Sequence, residues 1–334
     1  MRIAIDAMGG DHAPETPVDG AVRAVAEHGD VEIVLVGDAA RIEACLGTHE
    51  DAVRDRLHVH DAPEVVDPQQ DPVRAVRASE KVSARACADL LHRGEVEGVL
   101  TMGNTGAAVA AATLYCRRLE GVKRTGIAVP FPRANGVSIC IDGGANPDAR
   151  PEHLHQYAIM AAHYVRAAFG IDQPRIGILS IGEEEKKGNR LVAETWEKFR
   201  TDPLPDFVGN VEPHALFDDT ADVIVCDGFA GNLILKAAEG MASFILKGIP
   251  AVLGPLGIED PRAVIGALAS RVDYADYGGA PLLGVEGAYM IGHGRSNARA
   301  YVNGVGVIRS YVHGEVGRHI VEQLTSRTGG ATTA

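Results

Sequence analysis

The stretch Leu179-Ser-Ile-Gly-Glu-Glu-Glu-Lys-Lys-Gly-Asn189 decides how this chain is read. An apolar β-type run, Arg175 to Ile181, meets Gly182; three carboxylates and two ammonium groups follow, and Gly188-Asn189 opens a helical pattern containing Trp196. A surface loop has little reason to hold five charges between two glycines at the tip of a buried strand. A polar ligand site has one, because ligands in open α/β sheets sit just beyond the carboxyl ends of strands.

The same grammar recurs outward from this stretch. Strands are expected at Arg2–Asp6, Val31–Val36, Leu57–His60, Val99–Met102, Gly126–Phe131, Val137–Ile141 and a run ending at Cys226. Helices are expected between them: Thr16 (cap) to about His28 with Pro17 at the first helical position, one after Asp38, one ending near Gly94, an Ala-rich helix to Cys116, Glu152 to Phe169, and one from about Asn232. Pro63, Pro68 and Pro72 mark a long loop before the Gly94 helix. The short link from Pro132 to Gly136 predicts a hairpin and hence an antiparallel element. The remainder reads as Gly-rich to about Gly294 and then helical, with a disordered tail after Gly329. Alternating strands and helices make an α/β protein with a mostly parallel sheet. The expected organisation is one two-lobed unit, about 1–135 plus 300–328 in one lobe and about 136–299 in the other.

Apolar residues are 46% of the 334 and charged residues 23%, enough for a substantial core. Lys plus Arg is 32 against 45 Asp plus Glu, a net charge of −13, which argues against a general nucleic-acid binder. Five cysteines without C-x-x-C spacing suit a reducing cytoplasm, and no secretory signal is expected.

Five polar turns fall at expected strand ends: Asp6 to His12 with Gly9 and Gly10, Gly103-Asn104-Thr105-Gly106, Asp142 to Asn146, Gly182 to Asn189, and Asp227 to Asn232. Small residues there let backbone N–H groups approach a ligand, and a following helix adds partial positive charge, so an anion fits. The plain alternative is that glycine makes the turns and Asp or Asn caps the helices. There is no G-x-G-x-x-G, no P-loop and no G-x-S-x-G elbow, which disfavours nicotinamide, nucleoside triphosphate and serine-hydrolase chemistry. His58/His60 and His153/His155 supply no third metal ligand, so no metal is expected there and no cofactor is assigned, while the acids at Asp142, Asp227 and Glu183 to Glu185 could hold Mg²⁺ beside phosphate. Arg74, Arg77, Lys81 and Arg85 recur at helical spacing as a basic stripe, either a solvated face or a docking face for an acidic partner. The apolar run Gly240 to Ile258, with Phe244, Ile245, Leu246, Val252 and Leu253, reads as core, dimer contact or a tip at a membrane surface.

Taken in order, Ile5-Asp6-Ala-Met-Gly-Gly-Asp-His-Ala-Pro14, Gly103–Gly106, Gly144-Ala-Asn146, Ile181–Glu184 with Lys187-Gly-Asn189, Cys226-Asp-Gly-Phe229 with Gly231, Asn232 and Lys236, and Tyr277–Gly284 resemble the PlsX-type phosphate acyltransferases over nearly the whole chain. The resemblance implies conversion of acyl-(acyl carrier protein) and inorganic phosphate to acyl phosphate in bacterial phospholipid synthesis. It implies a three-layer α/β/α, Rossmann-like fold with a mixed, mostly parallel sheet, similar to isopropylmalate dehydrogenases and phosphotransacetylases. It also implies a homodimer, cytoplasmic and peripherally membrane-associated, working with a downstream acyl-phosphate-using acyltransferase. Departures from the family pattern fall at Ala78–Ser83, at Arg124-Thr125, and at Pro213-His214, where a basic residue is lost.

On this reading phosphate attacks the thioester directly, so positioning and charge stabilisation dominate. Asn104, Thr105 and Gly106 are expected to bind phosphate, with Lys187 and Lys236 supplying charge and Asn146 and Asn232 as oxyanion or phosphate donors. Asn189 is expected beside phosphate, Asp6, Asp142 and Asp227 to orient these groups, and His293 to protonate the leaving sulfur. The alternatives are a metal-dependent dehydrogenase on the related fold and a non-catalytic membrane-associated scaffold.

Overall fold

The computed structural model describes residues 1–47, 51–67, 69–133, 135–253, 265–266, 268 and 277–329. Pro68, the 254–258 end of the apolar run and the expected tail beyond 329 lie outside the described residues. The first sheet has seven strands, in the order β3 (Leu57–Asp61), β2 (Glu32–Gly37), β1 (Arg2–Asp6), β4 (Gly98–Thr101), β12 (Ala288–Ile291), β11 (Ala280–Leu283) and β5 (Gly126–Ile127). The second has five, β6 (Val129–Arg133), β7 (Gly136–Ile141), β10 (Val223–Val225), β8 (Ile176–Leu179) and β9 (Phe207–Val211). Most pairings are parallel; β6–β7, β11–β12 and β11–β5 are antiparallel. Central strands such as β1, β7 and β8 are buried almost throughout, as continuous apolar runs require when helices cover both faces.

The expected hairpin is present as β6–β7, but the single expected strand Gly126–Phe131 is broken. Gly126–Ile127 closes the edge of the first sheet, and after Ala128 the chain enters the second. The carboxylate of Asp142 ties this junction: Oδ1 accepts from the amides of Ile127 (3.0 Å), Gly144 (3.1 Å) and Ala145 (3.0 Å), and Oδ2 from that of Asn146 (2.6 Å). At the opposite, amino end of β10, buried Asp222 accepts from Arg133 (2.7 Å) and Arg175 (3.0 Å). Burial alone raises its pKa, but the guanidinium hydrogen bonds outweigh that and hold the carboxyl below its ordinary value.

Several expectations change. Strands β9, β11 and β12 arise where no strand was read, and β11 and β12 place 280–291 in the first sheet rather than with 136–299. The first helix is Glu15–Glu27, begun at Pro14 with no side-chain cap, so Thr16 lies inside it. Its Gly20 is required by close packing, because a Cβ there would lie 2.4 Å from that of Tyr301 on helix Ala298–His313. The basic stripe is not one helical face. Helix Pro72–Ala78 carries Arg74 and Arg77, Ser79 is extended, and a second helix, Ser83–His92, carries Arg85. The break has a cause: Glu64 receives the Ser83 amide (2.9 Å) and donates its own to the Lys81 carbonyl (2.9 Å), which pulls 81–83 into a bridge. Arg85 is largely covered, lying over the Tyr115 ring at 4.3 Å and paired with Glu80 and Asp89.

Candidate active site

Two adjoining cavities open at the carboxyl ends of the strands of the first sheet. The larger, a cleft of about 790 Å³, runs along the junction of the two sheets. One wall is apolar, with Ile127, Val129, Phe131 and Phe217; helix Gly228–Leu253 forms another with Asn232, Leu235, Lys236, Leu246 and Lys247. Thr105, His293 and Arg295 complete its polar end. The smaller, a slot of about 310 Å³, is bounded by Asp6, Gly9, Gly10, Val65, Ser83, Thr101 and Asn104.

Local chemistry explains how these side chains come to stand there. Asn104 caps helix Thr105–Tyr115 by accepting from the Ala107 amide (3.1 Å), which leaves Thr105 at the first turn facing the cleft. Helix Gly228–Leu253 starts four residues earlier than expected, because Asp227 accepts from the Ala230 amide at 2.7 Å. Gly231 lets that first turn lie on the Asp142 knot, since a Cβ would sit 2.0 Å from the Asp142 carbonyl oxygen. Asn232 and Lys236, one turn apart, therefore both line the cleft. Lys236 Nζ is 2.9 Å from Glu239, with its side chain 56% exposed. His293 follows β12; its Nδ1 accepts from the Arg295 amide at 3.3 Å, and burial pushes its pKa below the ordinary value. In the neutral ring this assignment puts the proton on Nε2.

Four of the expected residues, Thr105, Asn232, Lys236 and His293, thus meet in the cleft, while Asp6, Gly9, Gly10 and Asn104 line the slot. Gly106 packs beside Pro72, a Cβ there lying 3.2 Å from its ring. The other expected polar residues are engaged elsewhere. Asn146 donates to the Thr125 carbonyl (2.5 Å) and the Tyr157 hydroxyl (2.9 Å), and Asn189 caps helix Arg190–Thr201 by accepting from the Val192 amide (3.0 Å). Lys187 lies on the charged loop and lines neither cavity. Asn210 holds that loop down, donating to the carbonyls of Glu184 (2.8 Å) and Lys187 (3.2 Å), and Glu185 pairs with Arg200. Arg295, Lys247, Thr101 and Ser83 were not singled out from the sequence for these roles. Arg295 had a local signal, the Gly-His-Gly-Arg turn; the other three face a cavity only through tertiary packing.

The described part of the apolar run, 240–253, is not core. Within helix Gly228–Leu253, Phe244 is 74% exposed and Ile245 and Val252 are also exposed, whereas Leu246 turns into the cleft. That helix is long and apolar enough to cross a membrane by length and composition alone.

A family profile described as "Fatty acid synthesis protein" matches residues 1–318. A phosphate acyltransferase of Desulfitobacterium hafniense is 41% identical over 97% of this chain and 98% of its own length. One of Geobacter sulfurreducens is 41% identical over 97% and 94% respectively. Among solved structures, the EutD phosphotransacetylase of Staphylococcus aureus superposes with a TM-score of 0.59 at 15% identity, covering 93% of both chains, a likeness of fold. A phosphotransacetylase of Streptococcus pyogenes gives 0.58 at 16% identity, over 95% of this chain and 94% of that one.

Proposed function

Because the chain belongs to the fatty acid synthesis protein family, whose relatives include phosphate acyltransferases at 41% identity, we propose that it transfers an acyl group from acyl-(acyl carrier protein) to inorganic phosphate. The observation that carries this reading is one cleft holding a polar end with the cations Lys236 and Arg295 and the neutral donor His293, beside an apolar trough of Ile127, Val129, Phe131 and Phe217. A phosphate and an acyl chain need those two environments side by side. The cleft, at about 790 Å³, is within the ~300–1,000 Å³ usual for small-molecule sites.

In the proposed step a phosphate oxygen attacks the thioester carbonyl carbon. The new C–O bond forms, the C–S bond breaks, and the thiolate leaves with the electron pair. Lys236, Arg295 and the first turn of helix Thr105–Tyr115 hold the phosphate charge. Asn232 and the Nε2–H of neutral His293 stand as donors to the oxyanion, a different role from protonating sulfur. Asp142, Asn146 and Asp227 position these elements through the turn and cap bonds described above, while Asn189 caps helix Arg190–Thr201 away from both cavities. Purified protein supplied with acyl-(acyl carrier protein) should lose thioester and form hydroxylamine-reactive acyl phosphate only when phosphate is added. Thioester persisting under those conditions would overturn the assignment.

Arg74, Arg77 and Lys81, exposed beside the slot, are the proposed contact for the acidic carrier; Arg85, covered by its own ion pairs, is left out of that set. The exposed face with Phe244 and Ile245 is proposed to meet a membrane surface in a peripherally associated homodimer, from which acyl phosphate passes to a downstream acyltransferase. Replacing Phe244 and Ile245 by Asp should release the protein from sedimenting liposomes. Unchanged sedimentation with a monomeric variant would assign the face to the second subunit instead.

A further inference from the structure

The slot differs in chemistry from the cleft it adjoins. Its floor is the carboxyl of Asp6, which is 3% exposed and accepts from the Thr101 hydroxyl (2.9 Å) and the Met8 amide (3.1 Å). Asp11 stands at its edge, and among the described residues no Lys, Arg or His lines it. An inorganic phosphate here would lose its hydration and meet no cation to balance its charge. The remaining side chains combine apolar groups with neutral polar ones, among them Val65, Val66 and Val82 with Ser83, Thr101 and Asn104. That lining suits a slender neutral chain carrying amides and methylenes.

The slot also has the right neighbours. Asn104 faces the slot and Thr105 the cleft; Gly294 faces the slot, and His293 and Arg295 the cleft. Two turns therefore form the partition, and a chain threading the slot arrives beside the proposed phosphate donors. Val82, Ser83 and Ala84 line the slot from the start of helix Ser83–His92, directly after exposed Lys81, and helix Pro72–Ala78 with exposed Arg74 and Arg77 precedes them in the chain. The Asp6–Asp11 loop is braced from behind, the Tyr301 hydroxyl donating to the Gly9 carbonyl at 3.1 Å.

We propose that the slot bounded by Asp6, Val65, Ser83, Thr101 and Asn104 takes the neutral amide-bearing arm that links the thioester to its carrier protein, leaving phosphate and the acyl chain to the cleft. This rests on the acyltransferase reading and deepens it. The arm enters from the basic docking face, its amides meet the hydroxyls of Ser83 and Thr101, and the thioester emerges at the partition.

The test fills the slot and separates donor from phosphate. Val65 is 56% exposed at the slot, so Val65→Trp obstructs it without loading the core; Ala84→Leu fills it more deeply. Steady-state assays would vary acyl-(acyl carrier protein), the same acyl group on N-acetylcysteamine, and phosphate. In Val65→Trp the KM for the carrier donor should rise roughly tenfold, and the kcat/KM preference for carrier donor over the short thioester should fall by a similar factor. The KM for phosphate should stay where it was, with Tm measured to confirm folding. A raised phosphate KM with the carrier KM unmoved would assign the slot to phosphate and overturn the inference. An active Val65→Trp enzyme with neither constant changed would overturn it as well. Wild-type protein inactive on every thioester would instead sink the acyltransferase reading, a result distinct from an active enzyme with unaltered donor dependence.

Discussion

The slot is floored by a buried carboxyl and faces no cation among the described residues, whereas the cleft presents Lys236, Lys247 and Arg295 around an apolar trough, with Glu239 its one acid, paired to Lys236. They are separated by two turns in which adjacent residues look opposite ways. Asn104 spends its side-chain oxygen on the Ala107 amide and lines the slot, while Thr105, one residue on, lines the cleft. A glycine-rich strand end is thus no guarantee of an anion site. What decides is which charged side chains the tertiary fold swings toward it, and Asp6 and Lys236 swing to opposite sides of one partition.

The cationic side breaks first under substitution. Lys236→Ala should lower kcat/KM for phosphate by about a hundredfold, the scale on which transition-state charge stabilisation is lost, with Tm little changed because the side chain is exposed. Activity and phosphate KM at wild-type levels would remove the sign difference from the mechanism. His293 sharpens the picture at a smaller scale. His293→Ala should cost roughly tenfold, and His293→Gln, which keeps a neutral N–H donor, should recover part of that loss. Equal loss in both variants would favour proton transfer to sulfur over donation to the oxyanion.

The smallest effect reads the slot through stability. Burial pushes the Asp6 carboxyl above its ordinary value of 3.8, against hydrogen bonds from Ser83, Thr101 and the Met8 and Gly9 amides. The folded protein therefore keeps this proton to higher pH than the unfolded chain. The stability so contributed is complete below 3.8 and is lost as pH rises through the folded value. Asp6→Asn cannot ionise and escapes that loss, so its Tm relative to wild type should climb as pH rises above 3.8 and level off once the folded carboxyl has ionised. A flat difference would mean that the slot does not penalise charge, and the contrast with the cleft would weaken.

Much of the scaffold was legible from local pattern. The strands β1, β7 and β8 are apolar runs bounded by turn residues, and Asn189 and Asp38 announce helices through their own capping oxygens. Other elements carried no such signature. β9, β11 and β12 contain glycine or proline or lie in Gly-rich surroundings, and they become strands because a neighbouring strand offers its hydrogen bonds. The basic stripe misled because periodicity cannot register that Glu64, distant in sequence, competes for the backbone of 81–83. Within the site, Asn232 was legible as the end of a polar turn after a strand, and Lys236 through the resemblance to the family. The slot was not, since Ser83, Thr101 and Asp6 come from three separated segments.

The amino-acid sequence by itself determined the alternation of strands and helices, the hairpin, the polar turns at strand ends and the family. Those depend on side-chain periodicity, backbone preference and an ordered set of motifs. Only the tertiary structure decided which turns share a cavity, that Asn146 is consumed in holding Thr125 and Tyr157, that Lys187 lines neither cavity, and that the Phe244 face lies outside the core. Charge, burial and hydrogen-bond satisfaction at those positions are set by residues tens to hundreds of positions away, and folding alone brings them into contact.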